Sequence, residues 1–300
     1  MDRAISEKIQ KLARQKNALI LAHNYQPPEI QDIADMCGDS LELSIKAAGT
    51  EAKIVVFCGV HFMAETASIL CPEKTILLPR TDAGCPMAEM ITPATLKEKI
   101  NSMPGVPVVT YVNSSAAVKA MSTVCCTSAN AVKVVQSLKE KEILMVPDRN
   151  LAAYTAAHTG KKIHLWEGFC PYHDRLDPKT VENIKKDHPR AVFMAHPECR
   201  PEVTAMADIV TSTSGMLDYA ARSGSDEFIV GTETGLIHAL KKAGPEKSFY
   251  PASDQMYCKD MKKITQEDIK ASLENLSGEI RVPEKIRIPA LSAVKKMLAV

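Results

Sequence analysis

The sequence carries almost no net charge: 37 Lys and Arg stand against 36 Asp and Glu, leaving +1. No long-range field draws such a chain to a nucleic acid or an acidic membrane, and neither partner is expected. It also lacks any apolar run near the ~18 residues of a membrane span. The start, MDRAISEKIQKLARQK, reads as a charged amphipathic helix without the apolar stretch of a secretory signal, so a cytoplasmic location is expected. There are nine cysteines but no CxxC pair. The odd count, the chain size and the missing signal argue against a disulfide framework, and the lack of close Cys pairs counts against a structural zinc site. Linkers and low-complexity segments are missing too. With 45% hydrophobic and 24% charged residues in 300, disorder, collagen and coiled coil are excluded and two or three modest cores are affordable.

What is present is a repeat. ALILAHNY (Ala18 to Tyr25), VPVVTYVN (Val106 to Asn113) and AVFMAHPE (Ala191 to Glu198) each read as a short apolar strand ending in polar residues, at offsets of 88 and 85. Seventeen residues after His23, Tyr111 and His196 stand Ser40, Ser128 and Thr213. A second strand follows in VVFCGVHFMAE, ILMVPDRNLAA and FIVGTETGLIH, and a third in KTILLP, KKIHLW and KSFYP. Each copy closes with a helix, in ITPATLKEKI, LDPKTVENIKK and ITQEDIKASL, where Thr92, Asp177 and Thr265 are placed to cap.

Strands alternating with helices predict right-handed βαβ units and parallel sheets. The expected fold is α/β: three pseudo-symmetric three-layer α/β/α domains with short parallel sheets around a central active site. The boundaries are placed at 1–104, 105–189 and 190–277. A tail over 278–300, containing EIRVP and the amphipathic PALSAVKKML, is expected to pack back on the body as strand and helix.

Ligands of parallel α/β sheets bind beyond the carboxyl ends of the strands. The first-strand ends would bring His23 and Tyr25, Tyr111 and Asn113, and His196 and Glu198 to one space, because residues two apart on a strand share a face. A single His or Tyr at a strand end is usually a loop anchor, but a fold has no need to repeat polar tips three times. Ser40, Ser128 and Thr213 read either as plain N-caps or as part of an anion site at helix N-termini.

Cys85, Cys170 and Cys258 each lie six residues before the closing motif of their copy, in AGCPMAEMI, GFCPYHDRL and MYCKDMKKI. With nine Cys in 300 residues, finding Cys at both other equivalent positions by chance is about a one-in-a-thousand event. Cys37, Cys58, Cys71, Cys125, Cys126 and Cys199 lack the threefold pattern and read as small buried hydrophobes. Three thiolates, one per domain, suit either zinc with three Cys and a water or a [4Fe-4S] cluster with one iron open. On residues alone the chain reads as a lyase or dehydratase with such a Lewis-acid centre.

AHNYQPPEIQDIADMCGDSLELS, GVHFMAET, GCPMAEM, YVNSSA, TSANAV, PDRNLA, FCPYH, HPEC, TSTSGM, GTETGLIH and CKDMK, in that order over residues 18 to 300, resemble the quinolinate synthase family of NAD biosynthesis. The resemblance implies three pseudo-symmetric α/β domains around an oxygen-sensitive [4Fe-4S] cluster. It further implies condensation of iminoaspartate with dihydroxyacetone phosphate to quinolinate, phosphate and two waters. Cys85, Cys170 and Cys258 would be the cluster ligands. His23, Ser40, Tyr111, Val112, Asn113, Ser128, His196, Pro197, Glu198 and Thr213 would surround the substrates. Tyr25 and Glu198 would be the main proton-transfer groups, joined in catalysis by His23, Tyr111, Asn113 and His196, with His173 near the cluster. An aspartate oxidase or aspartate dehydrogenase upstream is implied by the same chemistry. Phe169 and Tyr172 flank Cys170 where a smaller or more polar flank is expected. The competing readings are a zinc-dependent lyase or aldolase on the same three cysteines, and a non-catalytic iron-sulfur sensor.

Overall fold

The computed structural model describes residues 3 to 300; Met1 and Asp2, which begin the expected N-terminal helix, lie outside the described residues. Each copy of the repeat forms a four-stranded, wholly parallel sheet. The first holds β1 (Ala18–His23), β2 (Met36–Gly38), β3 (Ile54–Cys58) and β4 (Thr75–Leu77) in the order β2-β1-β3-β4. The second repeats that order with β5 (Val108–Tyr111), β6 (Val124–Cys126), β7 (Glu142–Val146) and β8 (Lys162–Leu165). The third repeats it again with β9 (Val192–Ala195), β10 (Ile209–Val210), β11 (Glu227–Gly231) and β12 (Ser248–Pro251). With helices on the sheet faces, the architecture is three α/β/α domains.

The sequence pattern predicts three strands per copy, and the structure adds β2, β6 and β10. They are two or three residues long, too short for apolar alternation to register. What sets them is the residue just before. Asp35, Thr123 and Asp208 each donate a backbone N–H to the central strand and take one back on a side-chain oxygen, pairing with Ile20, Val108 and Phe193 at 2.7 to 3.0 Å. A second threefold device sits at the start of the last strand. Lys74, Lys161 and Lys247 place their ammonium groups on the final carbonyls of the helices Ser40–Gly49, Ala131–Ser137 and Thr213–Arg222. Carbonyls at a helix end are short of intrahelical partners, and a cation there also favours the helix dipole.

The first strands are shorter than the motifs suggest. β1, β5 and β9 end at His23, Tyr111 and Ala195, so Tyr25, Asn113, His196 and Glu198 lie in the turns that follow rather than on strand faces. Thr92, Asp177 and Thr265 do cap the closing helices, accepting from the backbone N–H three residues on, so these helices run Pro93–Ser102, Pro178–Asp187 and Gln266–Asn275.

The tail does return to the body, without becoming a strand. Glu279 forms an isolated antiparallel bridge with Leu77, Leu78 N–H donates to the Gly278 carbonyl (2.8 Å) and Ile280 N–H to that of Ile76 (2.8 Å). The last helix starts earlier than PALSAVKKML indicates and spans Glu284–Leu298, with Pro289 inside it. Its apolar face buries Ala290, Ala293, Val294 and Met297 in the main core, which runs through all three sheets. Burial of Val294 and Met297 contributes about 1.5–3 kcal/mol each. Among the described residues no helix is long and apolar enough to cross a membrane.

Gly278 has a φ of +81°, and a β-carbon there would meet the Leu78 carbonyl oxygen at 2.3 Å. Gly278→Ala is therefore expected to lower stability by about 2–4 kcal/mol by unseating the tail. Urea unfolding of both proteins checks this, and an unchanged midpoint would show that the docking geometry is wrong.

Candidate functional site

A cavity is lined from all three domains at the carboxyl ends of their strands. His23, Tyr25, Ser40, Tyr111, Asn113, Ser128, His173, His196, Glu198, Thr213 and the thiols of Cys85, Cys170 and Cys258 all face it. Of the residues the resemblance places at catalytic, substrate or cluster positions, Val112 and Pro197 are not among its lining residues. The Val112 side chain belongs to the hydrophobic core, and both its backbone groups are spent, on Cys126 (2.9 Å) and Ser114 (2.8 Å).

Each cysteine loop is pinned by the same backbone bond. The first residue of the helix Arg149–Ala157, together with its equivalents His61 and Thr234, donates N–H to the carbonyl two residues before each Cys. The pairs are His61 to Ala83 (2.8 Å), Arg149 to Gly168 (2.8 Å) and Thr234 to Met256 (2.9 Å). One position earlier the copies differ. Asp148 accepts the N–H of Cys170 (3.2 Å) and Glu233 that of Cys258 (3.0 Å), whereas the first copy has Val60 there. Glu233 is further held by Lys262 (2.8 Å).

Burial pushes the Cys85 thiol up to about 12, the Cys258 thiol up to about 11 and the Cys170 thiol higher still. Thiols in such a place become thiolates only with a compensating cation, which is the condition a metal centre meets. Among the described residues, the potential ligands drawn within 4.8 Å of one another are those of Cys170, His173 and Glu198. The three sulfurs are not gathered at the roughly 3.8 Å that tetrahedral zinc with ~2.3 Å Zn–S bonds requires. Thiols spread over a cavity wall fit a larger body such as an iron-sulfur cluster.

One buried chain of hydrogen bonds crosses the cavity wall. Tyr111 Oη donates to Glu198 Oε1 (2.6 Å) and His173 Nδ1 lies 2.8 Å from Glu198 Oε2 and 3.2 Å from Cys170 Sγ. His173 Nε2 is 2.8 Å from Thr232 Oγ1, which is 2.5 Å from Tyr25 Oη. Burial pulls the Glu198 carboxyl upward, yet His173, His196 and the bonds from His173 and Tyr111 outweigh it and hold the group well below the usual carboxylate range. His196 is itself neutral, so His173, by charge and by its direct bond, and the Tyr111 bond carry that effect. Burial, reinforced by the Glu198 charge, raises both the Tyr25 and the Tyr111 phenols far above 10, leaving them protonated donors.

His23 and His196 share a local design. Each ring accepts, at Nδ1, the backbone N–H two residues on: Tyr25 (3.1 Å) and Glu198 (3.3 Å). Burial, joined by nearby positive charge, lowers both to about 3. A neutral ring accepting at Nδ1 carries its hydrogen on Nε2. The hydroxyls near the helix starts are not the caps. Asp39 caps the helix Ser40–Gly49 and Ser212 caps Thr213–Arg222, so Ser40 and Thr213 occupy the first helical turn with their hydroxyls released from that task. The two helix starts touch through Ser212 and Asp39 (3.2 Å), and Thr213 Oγ1 accepts from Asn24 (3.1 Å). Asn113 Oδ1 is buried with no partner in the protein and is free to accept from a bound molecule.

Sequence reasoning missed Thr232, Asp148, Glu233 and Lys262. Asp148 and Glu233 were within reach, since both stand at one register position of the second-strand motif. Thr232 had no such signal. Phe169 and Tyr172 divide: Phe169 lies under the Arg149 guanidinium (4.3 Å), and only Tyr172 reaches the cavity.

With this geometry in hand, the comparisons with known proteins agree on one family. Residues 7–299 match the family model described as quinolinate synthetase A protein. The chain is 56% identical over 292 residues to the quinolinate synthase of Geobacter sp. strain M21, covering 97% of this chain and 96% of that one. It is 56% identical over 296 residues to that of Geotalea uraniireducens strain Rf4 (99% and 97%). It is 52% identical over 299 residues to quinolinate synthase 2 of Methanosarcina acetivorans (100% and 96%).

His23 and His196 are expected to stay neutral as Nε2–H tautomers at pH 5, which nitrogen NMR of histidine-labelled protein reads directly. Their folded pKa of about 3 lies below the ordinary 6.5, so between those values the unfolded chain binds more protons. Acidification through that window should cost about 1.4 kcal/mol per ring per pH unit. Two charged rings at pH 5 would overturn the assignment.

Proposed function

The chain belongs to the quinolinate synthetase A family, and from that premise we propose that it condenses iminoaspartate with dihydroxyacetone phosphate to quinolinate, phosphate and two waters, for NAD biosynthesis. The observation that carries this reading is the single cavity into which three domains send one thiol each, alongside the Tyr25, His173, Glu198 and Tyr111 network. Cys85, Cys170 and Cys258 would hold a [4Fe-4S] cluster whose open iron supplies a Lewis acid for a departing hydroxyl.

The protein's own groups divide the remaining work. The substrates bring two carboxylates and a phosphate. Two helix starts at Ser40 and Thr213, the turn at Ser128 and the Nε2–H groups of His23 and His196 offer donors for them. Asn113 Oδ1, the unpartnered acceptor, suits an imine or enamine N–H. Glu198 is ionised and buried, the state a base needs to take a proton from carbon next to a carbonyl or imine. Tyr25 is a protonated phenol across the same space and suits delivery of a proton to a leaving oxygen. Closure of the three domains around the cavity keeps water from the unstable imine. Because that imine hydrolyses readily, a reaction oxidising aspartate, an aspartate oxidase or aspartate dehydrogenase, is the required source.

Anaerobically purified protein should contain about four irons per chain with matching sulfide, and should form quinolinate from the two substrates. Stoichiometric zinc without colour, after attempted cluster reconstitution, would replace this reading with a zinc lyase using Cys170, His173 and Glu198. Cys170→Ser should lose the cluster while retaining the fold, since its loop is pinned by Arg149 and Gly168 independently of the thiol. Glu198→Gln should lower kcat by about 10²–10⁴-fold, the usual worth of a general base; an unimpaired variant would remove Glu198 from that role.

A further inference from the structure

Thr232 follows the last residue of β11 and is 1% exposed. Its hydroxyl meets Tyr25 Oη (2.5 Å) from the first domain and His173 Nε2 (2.8 Å) from the second, while Thr232 itself belongs to the third. Among the described residues it is the hydrogen-bond partner of both atoms.

The direction of these bonds follows from what the ends can do. Glu198 is ionised and only accepts, so the hydrogen between it and His173 sits on Nδ1. His173 Nε2 lies within hydrogen-bond distance of the Thr232 hydroxyl (2.8 Å). The Thr232 oxygen can accept from the Tyr25 phenol, which burial keeps protonated. Tyr25 is thus linked through Thr232 and His173 to Glu198, and Tyr111 completes the carboxylate from the other side.

We propose that Thr232 is a positioning residue for the reaction: its hydroxyl fixes the Tyr25 phenol relative to His173 and Glu198, tying together the two groups that handle protons. A side chain of the same shape without the hydroxyl would leave a buried phenol and a buried imidazole nitrogen unpaired, and the phenol would turn to seek another partner. This inference rests on the role given above to Tyr25, and the test separates the two.

Thr232→Val, Thr232→Ser, Tyr25→Phe and the Tyr25→Phe/Thr232→Val double variant are compared after anaerobic purification, with iron content measured for each. Thr232→Val is expected to lose about tenfold to a hundredfold in kcat with KM for both substrates within about twofold and iron unchanged. Thr232→Ser should recover to within about threefold of wild type, and the double variant should be no worse than Tyr25→Phe alone. Full activity in Thr232→Val beside an impaired Tyr25→Phe overturns the inference and leaves the role of Tyr25 standing. A Ser variant as poor as the Val variant, or losses that multiply in the double variant, also overturn it by showing a packing role only. A fully active Tyr25→Phe overturns the role of Tyr25 and the inference with it.

Discussion

A carboxylate buried where three domains meet is the constraint around which this molecule is arranged. Glu198 is 3% exposed, and a charge in that position is tolerated only when every lone pair is answered. The answers come from elsewhere in the chain: Tyr111 at the end of β5, His173 in the loop after Cys170, and Asn150, which holds the Glu198 backbone carbonyl at 3.0 Å. Removing one partner of a buried charge typically costs about 3–5 kcal/mol. Docking of the second domain on the third and the setting of the proposed base are therefore one event. The first domain joins through polar bonds to the third: Gln26 to Met261 (2.7 Å), Gln31 to Gly235 (2.9 Å), and Lys262 reaching both the Tyr25 carbonyl and Glu233.

The pseudo-threefold pattern is kept where it builds and broken where it reacts. Residues that fix strands and helix ends recur in all three copies, as Asp35, Thr123 and Asp208 do and as the three helix-capping lysines do. At the turn after the first strand, equivalent positions carry Tyr25, Asn113 and Glu198: a protonated phenol, an orphaned amide oxygen and an ionised carboxylate. Three copies of one frame thus bring a donor, a neutral acceptor and an anion to one cavity, and under the proposed function this asymmetry is what would orient a substrate.

The same distinction explains what could be read from the sequence. The cysteine triplet, the strand-end polar residues and the helix caps were legible because each occupies a register position that the repeat shows three times. Thr232 was not, because its meaning lies in partners 207 and 59 residues away. The edge strands β2, β6 and β10 were hidden by their brevity. Tyr25 and Glu198 do line the cavity, but the local geometry expected for them does not hold, since turns rather than strand faces carry them. The tail pattern PALSAVKKML found the buried face of the last helix but not its start, because Glu284 to Ile288 project mostly outward and leave no apolar stripe to read.

How the cysteines are held bears on what a cluster would do for this fold. Each ligand loop is fixed inside its own domain, by a backbone bond to the start of a helix and, for Cys170 and Cys258, by a carboxylate on the cysteine N–H. The domains are fixed to one another by different bonds, those of Glu198, Gln26, Gln31 and Lys262. Neither set uses a cysteine sulfur. In a zinc finger the metal replaces a missing core and the apo chain unfolds; here a core of ordinary size exists without it. A cluster would therefore arrive at a site already shaped, and its binding energy would go into deprotonating buried thiols rather than into assembling the protein. Of the three loops, that of Cys85 lacks the carboxylate, having Val60 where the others have Asp148 and Glu233.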